Sequence, residues 1–272
     1  MTAHIVPLTT QMQDYQHRVE AYLRRVLPSP TTIPEELHQA MHYAVFSGGK
    51  RIRPILIYLS GLLFTLDPAV LDAPAAAIEC IHGYSLIHDD LPAMDNDDFR
   101  RGKPTVHKVY GEAIALLAGN ALQSLAFEMM SFSPSGIAIL AQAAGSQGLL
   151  GGQALDLRSK TNLLTMEDRT YIHSLKTASL FQASTHLGAL IGGCQDEFTL
   201  TLLKQFGQLL GLAYQAQDDF LDNEKEADTQ TTINTLFERA STALNKIGNR
   251  AEGLQTFCDW LKNAPLQKSH PV

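Results

Sequence analysis

Apolar residues recur at helical spacing along most of this 272-residue chain, and alternating runs of β-branched residues are scarce. Apolar residues make up 45% of the sequence, which is enough for one large core. We therefore expect an all-α fold in a single domain over residues 1–272. The predicted helices begin near residues 34 and 54 and then cover 73–90, 111–130, 135–150, 166–191, 195–221, 231–246 and 252–262.

The composition argues against several classes of protein. The chain has 28 acidic and 21 basic residues, and a net charge of −7 predicts no nucleic-acid partner. Its three cysteines, Cys80, Cys194 and Cys258, are far apart and form no CxxC pair, so we expect neither disulfides nor structural zinc. A cytoplasmic location fits. No stretch approaches the roughly 18 apolar residues of a membrane span, and the amino terminus does not resemble a signal peptide.

Two aspartate clusters lie beside apolar sequence that we expect to be buried. Burying an unpaired carboxylate costs several kcal/mol, so such clusters require cations or positive side chains. Clustered carboxylate oxygens favour a hard divalent metal, and Mg²⁺ commonly combines one or two carboxylates with substrate phosphates. We therefore predict a magnesium site for a phosphorylated ligand. The aspartates are Asp89, Asp90 and Asp95 in the first cluster and Asp218, Asp219 and Asp222 in the second.

Two other kinds of acidic cluster are alternatives to a magnesium site. The second cluster has i, i+3 and i+4 spacing, which is also compatible with a solvated acidic helix face, although its apolar neighbours argue against that. A calcium loop of the EF-hand type is excluded at the first cluster. Phe99 and Arg100 occupy positions where that loop requires a ligand and a glycine.

Basic residues accompany the clusters and predict anion binding. Arg100 and Arg101 follow the first cluster, and guanidinium groups suit phosphate oxygens. The segment GGKRIRP at 48–54 puts three cations before a helix amino terminus, although a plain charged turn is the alternative. It is not a P-loop, because Arg51 replaces the required Ser or Thr. His82 precedes Asp89 by two helical turns, so both project from nearly the same face.

These motifs, in this order, resemble the trans-isoprenyl diphosphate synthases, and most closely the bacterial farnesyl diphosphate synthases. The resemblance runs from about residue 37 to residue 222. It is carried by GGKRIRP at 48–54, IHGYSLIHDDLPAMDNDDFRRGKPTVH at 81–107, GGQALDL at 151–157, KT at 176–177 and YQAQDDFLD at 214–222.

The resemblance implies a fold and a reaction. The fold would be a homodimer of helical bundles, with the two clusters facing each other across a deep central cavity. The reaction would be the magnesium-dependent 1'-4 condensation of isopentenyl diphosphate with dimethylallyl or geranyl diphosphate, giving farnesyl diphosphate, with about two or three Mg²⁺ ions. Geranyl or geranylgeranyl diphosphate is the alternative product.

The resemblance also implies a role for each matching residue. The principal metal ligands would be Asp89, Asp95 and Asp218, supported by Asp90, Asp219 and Asp222. The allylic diphosphate would contact Arg100 and Lys176, and isopentenyl diphosphate would contact Lys50, Arg53, His82 and Arg101. The catalytic set would be Asp89, Asp90, Asp95, Arg100, Lys176, Thr177, Gln215 and Asp218, with Thr177 and Gln215 beside the reacting carbons. Tyr84, with Ser85 beside it, would close the pocket about 7.5 Å along the helix from Asp89 and so limit chain length.

The sequence departs from the family pattern after Asp222. The family's GKxxGxD and later GK elements, whose lysines help to hold the allylic diphosphate, are absent, and the segment is shortened by about 20 residues. Lys225 is the nearest substitute, at an unconvincing spacing. Two hypotheses remain open: an active synthase with a trimmed lid, or a weakly active, regulatory homologue that binds diphosphates and a partner synthase. A terpene cyclase is a weaker third alternative, because it would not need GGKRIRP.

Overall fold

The computed structural model describes residues 7–159, 165–222 and 227–264. The helices are α1 (Leu8–Val26), α2 (Glu35–Val45), α3 (Ile52–Gly61), α4 (Asp72–Asp89), α5 (Val106–Tyr110), α6 (Glu112–Met129), α7 (Pro134–Ala144), α8 (Leu149–Ser159), α9 (Met166–His173), α10 (Ser179–Gly192), α11 (Glu197–Asp222), α12 (Ala227–Asn245) and α13 (Glu252–Asn263). A π-helical turn, Ser174–Ala178, joins α9 to α10. The strands β1 (Phe99–Arg100) and β2 (Lys103–Pro104) form a small antiparallel hairpin.

The core has two parts that meet at α3 and α10. One part surrounds α4 and α6, and the other surrounds α11, α12 and α13. Helix α3 supplies Ile57 to the first part and Leu56 to the second, and both side chains are fully buried. Gly188 lets α10 approach closely, because a Cβ there would lie 2.3 Å from the carbonyl oxygen of Ile57. The all-α bundle expected from the helical periods is therefore confirmed.

Several helix boundaries differ from the predicted ones. Helix α1 was not predicted. The helix predicted over 135–150 ends at Ala144, because Gly145 is extended, and a separate helix that was not predicted, α8, follows at Leu149–Ser159. Helix α2 begins at Glu35, close to the predicted start, with Pro34 as its N-terminal cap. Helix α3 begins at Ile52, ahead of Pro54, which the first helical turn tolerates.

Thr165 and Asp168 form a capping box at the start of α9. Among the described residues, no helix combines the length and the hydropathy that a bilayer span requires. The deep cavity between the clusters stays a prediction.

Candidate active site

The first aspartate cluster lies where α4 ends. The helix runs to Asp89, and Asp90 is its C-terminal cap. Pro92 follows in a turn, after which the backbone N–H of Asp95 donates to the carbonyl of Asp89 over 2.9 Å. The chain therefore folds back and returns Asp95 to the helix end.

The hairpin places Arg100 against this cluster. Its Nε donates to Oδ1 of Asp90 over 2.7 Å, and its Nη2 lies 2.6 Å from the same oxygen. A longer contact of 3.4 Å joins Arg100 to Asp97. Asp90 is only 3% exposed, so the arginine compensates the charge of a buried carboxylate. In this structure Asp90 anchors Arg100, while Asp89 and Asp95 adjoin each other at the turn.

Asp89 has an unusual protonation equilibrium. Its pKa is raised to about 7, chiefly because burial disfavours the charged carboxylate. The charge of Lys176 opposes this shift, and the negative charge of Asp95 adds to it. A divalent cation between these carboxylates would compensate both the burial and the repulsion.

The second cluster is joined to the π-turn by hydrogen bonds. Nε2 of Gln215 donates to Oδ1 of Asp219 over 2.9 Å, and its Oε1 accepts from the hydroxyl of Thr177 over 2.7 Å. Nε2 of His173 lies 3.5 Å from the other oxygen of Asp219. The end of α11 and the π-turn therefore present their polar side chains as one connected group.

Asp218 lies on the same stretch of α11 as Tyr214. Burial raises the pKa of Tyr214, and the charge of Asp218 raises it further, while Arg53 and Arg101 act in the opposite direction. Tyr214 is therefore within electrostatic reach of both the second cluster and the basic residues. Asp222 is the last residue of α11, and its side chain lies outside the described residues.

The π-turn lies between the two clusters. Nζ of Lys176 donates to Oδ2 of Asp156 over 2.6 Å, and its charge also acts on the carboxylate of Asp89. Thr177, the next residue, contacts Gln215 as described above. A π-helical turn is wider than an α-helical one and often occurs at functional sites. Here it directs neighbouring side chains towards both clusters.

Arg51 fixes the turn between α2 and α3. It has a left-handed backbone, with φ of 52°, and is 4% exposed. Its guanidinium donates to Glu79 over 2.7 Å, to Glu20 over 3.1 Å and to the carbonyl of Val45 over 2.6 Å. The protein therefore compensates this charge itself, which agrees with leaving Arg51 out of the predicted substrate contacts.

Arg53 differs from Arg51, because part of its guanidinium is unsatisfied. Its Nε is buried and makes no hydrogen bond in the described part of the chain, and the guanidinium lies 5.0 Å from the centre of the Phe181 ring. Burial lowers the pKa of Arg53. Burial likewise holds the pKa of His82 well below its usual value, with the charges of Arg53 and Arg101 adding to the effect. Such a concentration of positive charge favours an anion.

Arg101 closes this basic group from the hairpin side. Its Nη1 donates to the carbonyl of Gly48. At Gly49, where φ is 128°, an added Cβ would lie 2.6 Å from that nitrogen, so glycine permits the contact. The residues predicted for the isopentenyl diphosphate site adjoin this one turn: Lys50, Arg53, His82 and Arg101.

Tyr84 is packed inside the bundle below the first cluster. It is 1% exposed, and its hydroxyl donates to the carbonyl of Ala144, at the end of α7, over 3.4 Å. Its ring meets His88 edge-on with ring centres 5.7 Å apart. Burial raises the pKa of Tyr84 to about 12. Ser85 donates to the carbonyl of His82 over 2.9 Å.

The acidic residues fit magnesium as a partial ligand set. Within the described residues, no three carboxylate, imidazole or thiol side chains converge into a ready-made metal site. Mg²⁺ retains several waters and accepts one or two carboxylates together with phosphate oxygens, so it does not need such a cage. The half-buried carboxylate of Asp89, with its raised pKa, is a suitable donor.

Comparison with known proteins places this site in a family. The model of the polyprenyl synthetase family matches residues 34–243, which include both aspartate clusters, the basic turn and the π-turn. The chain belongs to the polyprenyl synthetase family. The resemblance read from the motifs is confirmed.

Several named proteins are similar to this chain in sequence or in structure. Farnesyl diphosphate synthase of Escherichia coli is 48% identical over 194 residues, which cover 68% of this chain and 65% of that protein. Geranylgeranyl pyrophosphate synthase 4 of Arabidopsis thaliana is 43% identical over 209 residues, which cover 73% of this chain and 56% of that protein. The crystal structure of geranyltransferase from Legionella pneumophila superposes with a TM-score of 0.87 at 37% identity, covering 94% of this chain and 97% of that one.

The structure adds contacts to these predicted residues that the sequence did not single out. Asp156 contacts Lys176, Glu79 contacts Arg51, and His173 approaches Asp219. Asp156 lies within the GGQALDL motif, so the sequence pointed to this segment but did not indicate what Asp156 contacts. Glu79 and His173 gave none, because a single acidic or imidazole side chain on a helix is ordinary.

Proposed function

We propose that the protein condenses isopentenyl diphosphate with dimethylallyl or geranyl diphosphate and that farnesyl diphosphate is the main product. The observation that carries the proposal is the π-turn, where Lys176 acts on Asp89 of the first cluster and Thr177 bonds Gln215 beside the second. The names of the E. coli and Arabidopsis relatives support the reaction class, and the second of them favours geranylgeranyl diphosphate as the alternative product.

The allylic diphosphate would lie between the two clusters. Magnesium bound there would neutralise charge developing on the departing diphosphate. Lys176 and Arg100 would donate to its oxygens from the π-turn and from the hairpin. About two or three Mg²⁺ ions would bind in all. Their proposed ligands are Asp89, Asp95 and Asp218, with Asp90, Asp219 and Asp222 in support.

Isopentenyl diphosphate would bind at the basic turn. The buried Nε of Arg53 lacks a hydrogen-bond partner in the described residues, and His82 is held neutral by burial and neighbouring arginines. A diphosphate would accept from Arg53, Arg101 and Lys50 and would reduce the repulsion among them. The neutral ring of His82 could then donate one further hydrogen bond.

The reaction needs no protein nucleophile. The allylic carbon–oxygen bond breaks, and its electron pair leaves with the diphosphate. The double bond of isopentenyl diphosphate attacks the resulting allylic cation and forms the new carbon–carbon bond. A proton then leaves the adjacent carbon, with the released diphosphate as the base. Thr177 and Gln215, joined by a 2.7 Å hydrogen bond, would line the reacting carbons with neutral dipoles.

Tyr84 and Ser85 are the residues that we propose limit the length of the product. The buried Tyr84 ring is packed between α4 and the end of α7 and hydrogen-bonds the carbonyl of Ala144. Such a ring is held too firmly to swing aside for a longer prenyl chain. We infer that it forms the floor of the pocket.

The short segment after Asp222 is the reason that two hypotheses are open. Residues 223–226, including Lys225, lie outside the described residues. With the family's lysines absent, ionisation would lose one cation, so we expect turnover slower than in synthases that retain them. The retention of both clusters and both basic groups favours an active synthase over a regulatory homologue.

The test is an incorporation assay with purified protein, Mg²⁺, radiolabelled isopentenyl diphosphate and either dimethylallyl or geranyl diphosphate. Products are dephosphorylated and resolved by length. We expect magnesium-dependent incorporation with a fifteen-carbon product. Asp218→Asn is the negative control. A wild-type protein that binds both substrates in calorimetry and incorporates no label would support the regulatory homologue instead.

Two further parts of the proposal concern assembly and location. We propose a homodimer, because α6 exposes Leu116 and Leu117, which are 47% and 50% accessible. We also propose a cytoplasmic location, since Cys80, Cys194 and Cys258 are all free and buried.

A further inference from the structure

The GGQALDL motif on α8 contacts the π-turn at two points. Gly152 lies against its backbone: an added Cβ would be 2.2 Å from the amide nitrogen of Lys176 and 2.7 Å from its Cα. One helical turn later, Asp156 accepts a 2.6 Å hydrogen bond from the ammonium group of the same lysine. Helix α8 therefore fixes both the backbone and the side chain of Lys176.

The ammonium group of Lys176 interacts with two carboxylates. Its charge acts on Asp89, where it is the largest influence after burial. Its direct contact is with Asp156. The side chains of this pair are 28% and 35% exposed, so the contact is partly shielded from water and constrains the lysine more than a surface pair would.

Without a second carboxylate, the lysine would be drawn to the first cluster. A flexible four-carbon side chain carrying a point charge moves readily to the nearest anion. An ammonium group paired with Asp89 would compete with a divalent cation for that carboxylate. Asp156 lies on a different helix from both clusters and provides an alternative partner.

We propose that Asp156 is a positioning residue that holds the Lys176 ammonium beside the metal site, ready for the allylic diphosphate and away from Asp89. This rests on the proposed function, since it concerns the same diphosphate. Asp156 acts through Lys176 and does not itself contact substrate. Binding of a diphosphate to the lysine requires no large movement, because the ammonium has three donors and Asp156 uses one of them.

The first experiment compares Asp156→Asn with wild type. Binding of inorganic pyrophosphate in the presence of Mg²⁺ is measured by calorimetry, and the magnesium concentration for half-maximal turnover is measured by assay. We expect pyrophosphate affinity to fall about tenfold and the magnesium requirement to rise several-fold, as for loss of a charge-assisted contact. The KM for isopentenyl diphosphate should not change. Glu167→Gln, which removes the same charge from an exposed site on α9, is the control.

The second experiment tests whether Asp156 acts through the lysine. In a Lys176→Met background, Asp156→Asn should cause no further loss of pyrophosphate binding. Asp156→Glu, which restores the charge, should recover part of the affinity. An equal loss in both backgrounds would overturn the proposal, as would unchanged binding in Asp156→Asn. Because calorimetry with pyrophosphate needs no turnover, a protein without prenyl transfer would refute the proposed function and leave this result readable.

Discussion

At the scale of single residues, the structure separates arginines that the sequence presents together. Arg51 and Arg53 lie in one basic segment, yet Arg51 is fully engaged with protein acceptors and Arg53 has a buried Nε without one in the described residues. A charged group that the protein leaves unsatisfied is the better indicator of a ligand. The same reasoning applies to the carboxylates of the first cluster. Asp90 already pairs with Arg100 and is therefore a weaker indicator of a ligand.

Asp89 gives the first prediction, which is a gain of stability at the expense of activity. Its pKa of about 7 lies above the roughly 4 of an exposed carboxyl, so the folded protein binds this proton more tightly than the unfolded chain. The contribution of Asp89 to stability is therefore most favourable below pH 4 and declines as the pH rises to 7. Without metal, Asp89→Asn should be more stable than wild type at pH 8 by about 1–3 kcal/mol and about equal at pH 4.

The measurement is urea unfolding in EDTA at both pH values. Turnover should fall at least about a hundredfold, because the variant lacks a ligand for the metal that stabilises the charge developing on the departing diphosphate. Glu167→Gln, at an exposed site, should change neither quantity. Equal stabilities at pH 8 would show that the carboxylate is not strained by its surroundings.

Tyr84 gives the second prediction, on product length. Tyr84→Ala removes a fully buried ring and opens space below Asp89, so the main product should lengthen from fifteen to twenty or more carbons. The variant should also be less stable by about 3–5 kcal/mol. Tyr84→Phe, which keeps the ring and removes only the 3.4 Å hydrogen bond to Ala144, should leave the length unchanged. Reversed-phase analysis of dephosphorylated products is the measurement, and fifteen-carbon chains from Tyr84→Ala would contradict the assignment.

At the scale of elements, the site is held by short, irregular pieces instead of by long helices. The π-turn aims Lys176 and Thr177, and the left-handed Arg51 sets the basic turn. The small hairpin brings Arg100 to the first cluster and Arg101 to the basic turn. None of these has a periodic sequence signal. The motifs therefore identified the residues, but local backbone geometry decides how they meet.

Gly152 gives the third prediction, at the contact between α8 and the π-turn. Gly152→Ala would place a methyl group 2.2 Å from a backbone nitrogen, and one of the two elements must move. We expect a loss of about 1–3 kcal/mol in the free energy of unfolding and a weaker grip on the allylic diphosphate. Gly253→Ala is the matched control, since its added methyl would meet only the end of a Leu59 side chain at 3.5 Å. Thermal melts and the KM for geranyl diphosphate report the two effects.

At the scale of the whole molecule, the sequence predicts the architecture better than the connections. Long amphipathic helices such as α11 have a strong periodic signal, so the all-α bundle was predictable. The break between α7 and α8 was not, because Gly145 changes direction without a proline. The pairing of Asp156 with Lys176 depends on packing between distant segments, which one sequence cannot reveal.

Assembly gives the fourth prediction. If α6 forms the dimer contact, Leu116→Glu combined with Leu117→Glu should give a monomer, because two charges would be buried without partners. Phe132→Glu, at a 58% exposed position beyond the end of α6, should remain dimeric. Light scattering during size-exclusion chromatography measures the mass, and a monomeric wild-type protein would contradict the proposal.

The neutral imidazole of His82 makes substrate capture a proton-coupled event. Burial and the surrounding arginines hold its pKa far below the usual value. An incoming diphosphate would offset the positive charge and raise that pKa, so binding would draw a proton from the buffer. Calorimetric heats of isopentenyl diphosphate binding should then vary with the buffer's ionisation enthalpy, more at pH 6 than at pH 8. Acidification would thereby strengthen the hold on this substrate while it weakens the metal's hold on Asp89.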